Sequence, residues 1–366
     1  MVYYLSTVYL VDIKIIDKNE YINVVVKTPS NIEDKKNLLT VREQFYNEVL
    51  FYNKVAVNSD VYLQLPKCFY AYNNQEDYQD GMIIMENIAS LGYAMCPDSY
   101  NIPFEYVISG VQEVARFHGM GYSIKTRDPD NFFTIVSEIK SAFVFLGCFF
   151  PVYMNLISMR PIKWLREQNY DEEFCNKMEH YMKNAYQYFI LDLNKPIEPL
   201  AVICHGDFTI NNILFRKTNG VIDSRLIDFA MMRYASPSTD LSTFLYFSVS
   251  KNDRKERFNE IFKAYHDALI KYLNDENIKI MDCFSYDNLL ADYKHHVMFG
   301  YIMALFFIPN ILGLIDLAKT TFDNDTDPLK VFEKTENLGG ENLSKLFAEM
   351  LIDIRELGGL DHLEDL

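Results

Sequence analysis

The six cysteines of this chain stand at 68, 96, 148, 175, 204 and 283, with no Cys-x-x-Cys pair and no Cys/His cluster at zinc spacing. That excludes a zinc ribbon or a disulfide-stapled scaffold and predicts free thiols in a reducing, intracellular setting. Positive charge is also scarce. Against 51 Asp and Glu there are 35 Lys and Arg, a formal balance of −16. Such a chain repels a phosphate backbone, so nucleic acid is excluded as a partner, although an anionic nucleotide is not, because a site is built from local charges. There is one tryptophan, Trp164, and there is neither an internal repeat nor a low-complexity segment. The opening MVYYLSTVYLVDIKIID has no basic n-region and no cleavage-site pattern, so no signal peptide is expected and a cytoplasmic location follows. Two uncharged stretches, Ser141–Met159 and Val297–Ile315, approach the length of a membrane span. Gly147, Pro151 and Asn155 interrupt the first and Pro309 and Asn310 the second, so both read as buried helices and no membrane span is expected.

What is present is ample core material: 49% hydrophobic residues over 366 positions, including 26 Tyr and 27 Phe. Val8 to Ile16 and the β-branched run Tyr21–Lys27 predict two strands. A helix follows from about Glu33 to Val55, with an apolar stripe through Leu38, Val41, Phe45, Tyr52 and Val55. Glu48 falls on that stripe. A carboxylate facing a core costs free energy unless it is paired, and a broken local rule of this kind often marks function. Strands are expected near Cys68–Tyr72 and Gly81–Met85, and Glu86–Pro103 reads as an irregular linker. From Phe104 onward the pattern is helical, apart from a hairpin around 205–229. The end, from Glu356 to Leu366, is acidic and expected to fray. Strands dominate the start and helices the remainder. This predicts an α+β fold in two parts, 1–88 and 89–366.

The chemistry gathers in AVICHGDFTINNILFRKTNGVIDSRLIDFAMMRYASPSTD, residues 201–240. The Lys217-Thr218-Asn219-Gly220 turn signal closes a hairpin whose open ends meet. Asp207 and Asn212 precede its first strand and Asp228 follows its second, so two carboxylates and an amide fall at one end. Like charges that close raise each other's pKa unless a cation lies between them, and an all-oxygen donor set suits Mg²⁺. Asp and Asn flank turns everywhere, and each residue alone carries little weight. His-x-Asp, an Asn five residues later and Ile-Asp-Phe after one hairpin together form a specific set.

The run HGDFTINNILF…LIDFAMMRYASPSTDLS resembles the ecdysteroid kinase-like family, a branch similar to the aminoglycoside and choline phosphotransferases with their protein-kinase-like bilobal fold. FYNEVLFYNKV at 45–55, VVVK at 24–27, GMIIMENI at 81–88, VARFHGM at 114–120 and HHVMFGYIMALFFIP at 295–309 extend the resemblance along nearly the whole chain. The resemblance implies a small-molecule kinase using ATP and Mg²⁺, with an acceptor that carries a hydroxyl group. By position, Asp207 matches the catalytic aspartate, and Asn212 and Asp228 match the metal ligands. Lys27 matches the lysine on the α/β phosphates and Glu48 its ion-pair partner. Glu86, Asn87 and Ile88 match the hinge beside adenine. Asp240 matches a structural aspartate, and His205 shapes the catalytic loop. Without the family, Lys27 reads equally as a strand-end lysine in solvent and Asp240 as a first-turn helix charge. His118 reads as a core histidine, and the His295-His296 pair lacks partners for a metal site.

The family pattern normally sets a helix, a first strand and a small-residue phosphate loop ahead of a segment like YLSTVYLVDIKI. Here that segment stands at the first residues and no glycine precedes Lys27. The expectation is a shortened phosphate loop that weakens ATP binding, and with it an alternative reading as a non-catalytic, kinase-shaped binding protein. The Asp228-Phe229-Ala230 triplet replaces the glycine-containing version of protein kinases. No long activation loop fits between Asp228 and Asp240.

Overall fold

The computed structural model describes residues 6–17, 20–30, 41–58, 63, 65–74, 80–141, 149–316 and 327–364. Four strands, β1 (Ser6–Ile15), β2 (Glu20–Pro29), β3 (Cys68–Tyr72) and β4 (Met82–Glu86), form one antiparallel sheet in the order β1-β2-β4-β3. Residues directly opposed across an antiparallel pair share a face. Lys27 is paired with Ile83 and Val25 with Met85, so Lys27 lies on the same face as the buried Ile83 and Met85. The helix Val41–Leu50 covers that face, and the Tyr52 hydroxyl meets the Met85 sulfur at 3.8 Å. The earlier part of the expected helix, with Leu38, lies outside the described residues. Its end differs from expectation, because the last turn, Phe51–Val55, widens into a π-helical turn. Such turns re-aim side chains, and this one presents Phe51 to the other part of the molecule.

Helices dominate the remainder. Phe104–Arg127 packs along Phe258–Asp275, and Ser238–Ser248 packs along Tyr286–Ile311. Every residue of Ser238–Ser248 is buried, the polar ones included, and Thr239, Ser242 and Thr243 each donate a hydroxyl to a backbone carbonyl one turn back. At its crossing with Tyr286–Ile311 the backbones come close. A Cβ added at Gly300 would lie 2.2 Å from the Ser242 carbonyl carbon, and the Gly300 amide donates to Ser242 Oγ at 3.2 Å. Three short pairings complete the architecture. β5 (Ala94–Met95) joins β7 (Ile213–Thr218) and β8 (Val221–Leu226), while β6 (Val202–Cys204) pairs with β9 (Arg233–Ala235). The β7–β8 turn sits at Asn219 and Gly220, both at positive φ, the conformation a tight hairpin requires. The β6–β9 pair was not foreseen; three-residue strands carry no periodicity to read.

The result is the α+β, protein-kinase-like arrangement, with a small β-rich part and a large helical part. Among the described residues no helix is long and apolar enough to cross a membrane. Of the two uncharged stretches, Phe149–Ser158 is a helix and 142–148 lies outside the described residues. Val297–Ile311 belongs to the long helix, with Pro309 accommodated in its last turn. The described cysteines, 68, 96, 175, 204 and 283, are free. The expectation of a fraying end is corrected. Gly358 closes the last helix in the left-handed conformation, after which Leu360, 5% exposed, returns to the core and Leu363 packs against it.

Candidate active site

The buried carboxylate on the apolar stripe has its partner. Lys27 Nζ donates to Glu48 Oε1 at 2.7 Å and Oε2 at 2.6 Å, and both residues are buried. Asp228 Oδ2 lies 3.4 Å from the same nitrogen, with its side chain 40% exposed. Burial alone would lower the Lys27 pKa, but the charges of Asp228 and Glu48 hold the ammonium above its ordinary value. Burial pushes Glu48 up to about 7 against the pull of Lys27.

The loop His205–Asn212 is built by backbone satisfaction. Asp240, fully buried, accepts from the His205 amide at 2.6 Å and the Gly206 amide at 3.0 Å. His118 Nε2 lies 3.2 Å from it, and the Tyr265 hydroxyl lies 2.9 Å from His118 Nδ1. Burial would raise the Asp240 pKa, but the His118 hydrogen bond and the Arg233 charge hold the carboxylate below its usual range. Gly206 has φ +87°, and a Cβ there would lie 1.7 Å from Met231 O, so no other residue fits. Arg233 closes the loop from outside by donating to Gly206 O at 2.6 Å. His205 Nε2 donates to Ile227 O at 3.0 Å, while its Nδ1 faces the Asp207 amide at 3.4 Å. Burial lowers its pKa, so the ring is a neutral strut.

Asn212 donates to Asp207 Oδ2 at 2.8 Å and to Asp207 O at 2.9 Å. Asp207 is pushed up to about 6, chiefly by burial and then by Asp228, against the Asn212 hydrogen bond. Asp228 itself sits at φ +67°, a left-handed conformation that a non-glycine residue adopts only where the surroundings impose it. Phe229 follows it in the core. Its ring is fully buried, stacked on Phe51 at 3.6 Å and 4.8 Å from His205. The Phe51–Phe229 stack thus joins the helix that carries Glu48 to the segment that carries Asp228, beside the Lys27 contacts to both carboxylates.

A cation fits this donor set. Asn212 spends its NH₂ on Asp207, and among the described residues its Oδ1 receives no hydrogen bond. That oxygen, with the half-exposed Asp228 carboxylate, is the hard-donor pair that Mg²⁺ favours. The possible ligand atoms of His118, Cys204 and Asp240 also lie within 4.8 Å of one another, but all three residues are buried and hydrogen-bonded, His118 to Tyr265, Cys204 to Ser236 O and Asp240 to the His205 amide. At the segment expected to form the hinge, two of the three backbone amides are already bonded. The Glu86 amide is spent on Lys67 O at 2.8 Å and the Asn87 amide on Asn23 O at 3.1 Å. Ile88 opens a 3₁₀ turn, whose first amides have no partner within it.

Residues 3–278 match the model of the ecdysteroid kinase-like family. The chain belongs to that family. No curated protein matches this ecdysteroid kinase-like chain in sequence. Among solved structures it is similar to a choline kinase from Cryptosporidium parvum Iowa II, at 14% identity and TM-score 0.47, covering 97% of this chain and 92% of the other. It is also similar to a GDP complex of an aminoglycoside 2′-phosphotransferase, at 9% identity and TM-score 0.45, covering 92% and 90%. A Plasmodium vivax ethanolamine kinase follows at 13% and 0.43, covering 96% and 84%.

Sequence reasoning missed Arg233, Phe229 and Asn47. Asn47 is fully buried beside Glu48 and bonds to Lys140 and Ala230. The signal available for it was a poor helix former in the middle of a helix. His118 was read as a core histidine, which hid its bond to Asp240. The His295-His296 pair has a third ring near it, His362, 4.4 Å from His295.

Proposed function

We propose that this ecdysteroid kinase-like chain transfers the γ-phosphoryl group of ATP, with Mg²⁺, to a hydroxyl of a small, apolar, ecdysteroid-like molecule. The observation that carries the reading is the convergence of Lys27, Glu48, Asp207, Asn212 and Asp228 from distant parts of the chain. These are the residue types of a phosphoryl-transfer site, where catalysis is positioning and electrostatics. Lys27, held charged by two carboxylates, would hold the α and β phosphates. Asn212 and Asp228 would hold Mg²⁺, which when bound neutralises charge on the phosphates. The backbone of Glu86, Asn87 and Ile88 would edge the adenine, chiefly through carbonyls and the Ile88 amide.

Asp207, with its pKa near 6, is ionised at neutral pH and fixed in orientation by Asn212. It would take the acceptor's hydroxyl proton while the acceptor oxygen bonds the γ-phosphorus. The bond from that phosphorus to the β–γ bridging oxygen breaks, and ADP leaves. The apolar acceptor is supported by the family and by the aromatic richness of the helical part, where Phe149, Phe150, Tyr153 and Phe306 pack ring to ring.

Thermal unfolding with and without Mg²⁺–ATP tests the reading. A ligand at about 100-fold its Kd adds roughly 2.7 kcal/mol. The wild type is expected to gain an upward shift that Asp228→Ala loses. A wild type that does not respond refutes nucleotide binding. A response without phosphate transfer to any hydroxylated steroid or small alcohol favours a non-catalytic, kinase-shaped binding protein.

A further inference from the structure

Consecutive residues on a helix point about 100° apart, so Glu48 and Asn47 serve two different surfaces. Glu48 faces the sheet and Lys27. Asn47, fully buried, faces the helical part and makes three hydrogen bonds there. Its Oδ1 accepts from the Lys140 amide at 2.9 Å, and its Nδ2 donates to Lys140 O at 2.9 Å and to Ala230 O at 3.3 Å. The amide thus closes a two-point pair with one backbone residue and adds a bond to a carbonyl two residues beyond Asp228. Asparagine suits this because one short planar group carries both a donor pair and an acceptor. Two outer contacts lie alongside: Lys54 Nζ on Glu138 at 2.6 and 2.8 Å, and Lys140 Nζ 5.4 Å above the Tyr46 ring.

We infer that Asn47 is a positioning residue that docks the Glu48 helix onto residues 138–140 and onto the Asp228–Ala230 segment, and so sets the Lys27–Glu48–Asp228 geometry. The three groups that must coincide at the phosphates come from a strand, a helix and a hairpin exit. Lys27 ties all three from one side through its contacts to Glu48 and Asp228. Asn47 ties the helix to the hairpin exit from the other. With both ties made, the Glu48 helix is held against the sheet on one side and the hairpin exit on the other. The role deepens the phosphotransferase reading and rests on it.

The test is Mg²⁺–ATP affinity by titration calorimetry on the full chain, with unfolding followed in parallel. Asn47→Leu keeps the size and removes all three bonds. It is expected to unfold cooperatively at a lower temperature and to bind Mg²⁺–ATP ~10–100-fold more weakly, the usual effect of removing a group that orients a binding residue. In a Lys27→Met background the same substitution is expected to add little, because the geometry it sets is already lost. If Asn47→Leu does not fold, Asn47→Asp, which keeps the acceptor for the Lys140 amide and loses both donations, is expected to show the same weakening. Wild-type affinity in the folded variant, or fully additive losses in the double variant, overturns the role while leaving the phosphotransferase reading intact. No binding by the wild type overturns both.

Discussion

Lys27 and Glu48 form a buried ion pair in which one ammonium meets both carboxylate oxygens, and Lys27 alone reaches from that pair to Asp228. Breaking a buried pair from one side leaves an uncompensated charge, which costs about 3–5 kcal/mol. Lys27→Met is therefore expected to lose stability on that scale and to bind nucleotide more weakly. The loss has a pH sign. Burial raises the Glu48 pKa, so the carboxyl is tolerated when protonated and destabilises the fold as pH rises through its folded pKa. Without Lys27 the urea midpoint is expected to fall further at pH 8 than at pH 6. An equal deficit at both values would refute the uncompensated carboxylate.

Asp207 gives a second pH-dependent outcome. Its folded pKa, about 6, lies above the ordinary value of 3.8. A raised pKa means stability that is complete below the unfolded value and lost as pH climbs through the folded one. Asp207→Asn removes that penalty. The variant is expected to match the wild type near pH 4 and to exceed it by about 3 kcal/mol at pH 8, while losing phosphoryl transfer. In the wild type, transfer is expected to fall about tenfold per pH unit below about 6, as the carboxylate is protonated. An Asn variant less stable than the wild type at pH 8 would show that the loop depends on the Asp207 charge.

At the helix crossing, Gly300→Ala would push a methyl carbon to 2.2 Å from the Ser242 carbonyl carbon, which is backbone and cannot swing aside. Overpacking of this kind costs about 1–3 kcal/mol. Because Ser238–Ser248 begins two residues before Asp240, the variant is expected to lower the melting temperature and to loosen the His205–Asn212 loop together. A melting temperature equal to the wild type's would mean that the two helices separate freely.

The hairpin and its chemistry could be read from the sequence because they are local. An Asn-Gly turn, alternating strands and a five-residue step from Asp207 to Asn212 fix which groups meet, whatever surrounds them. Glu48 could be read because a carboxylate on an apolar stripe is an anomaly visible in one dimension. The family, seen in the same local runs, supplied Lys27 as its partner.

What the chain could not announce were contacts whose partners lie far along it. Asn47 finds Lys140 at a separation of 93 residues and Ala230 at 183. Asp240 meets the amides of His205 and Gly206 across 35 and 34 residues. Leu360 returns to the core only because Gly358 turns the chain back. Local propensity sets which elements form. Where a buried polar group finds its partner depends on which backbone groups the packing leaves unsatisfied, and that is settled only when the helical part closes against the sheet.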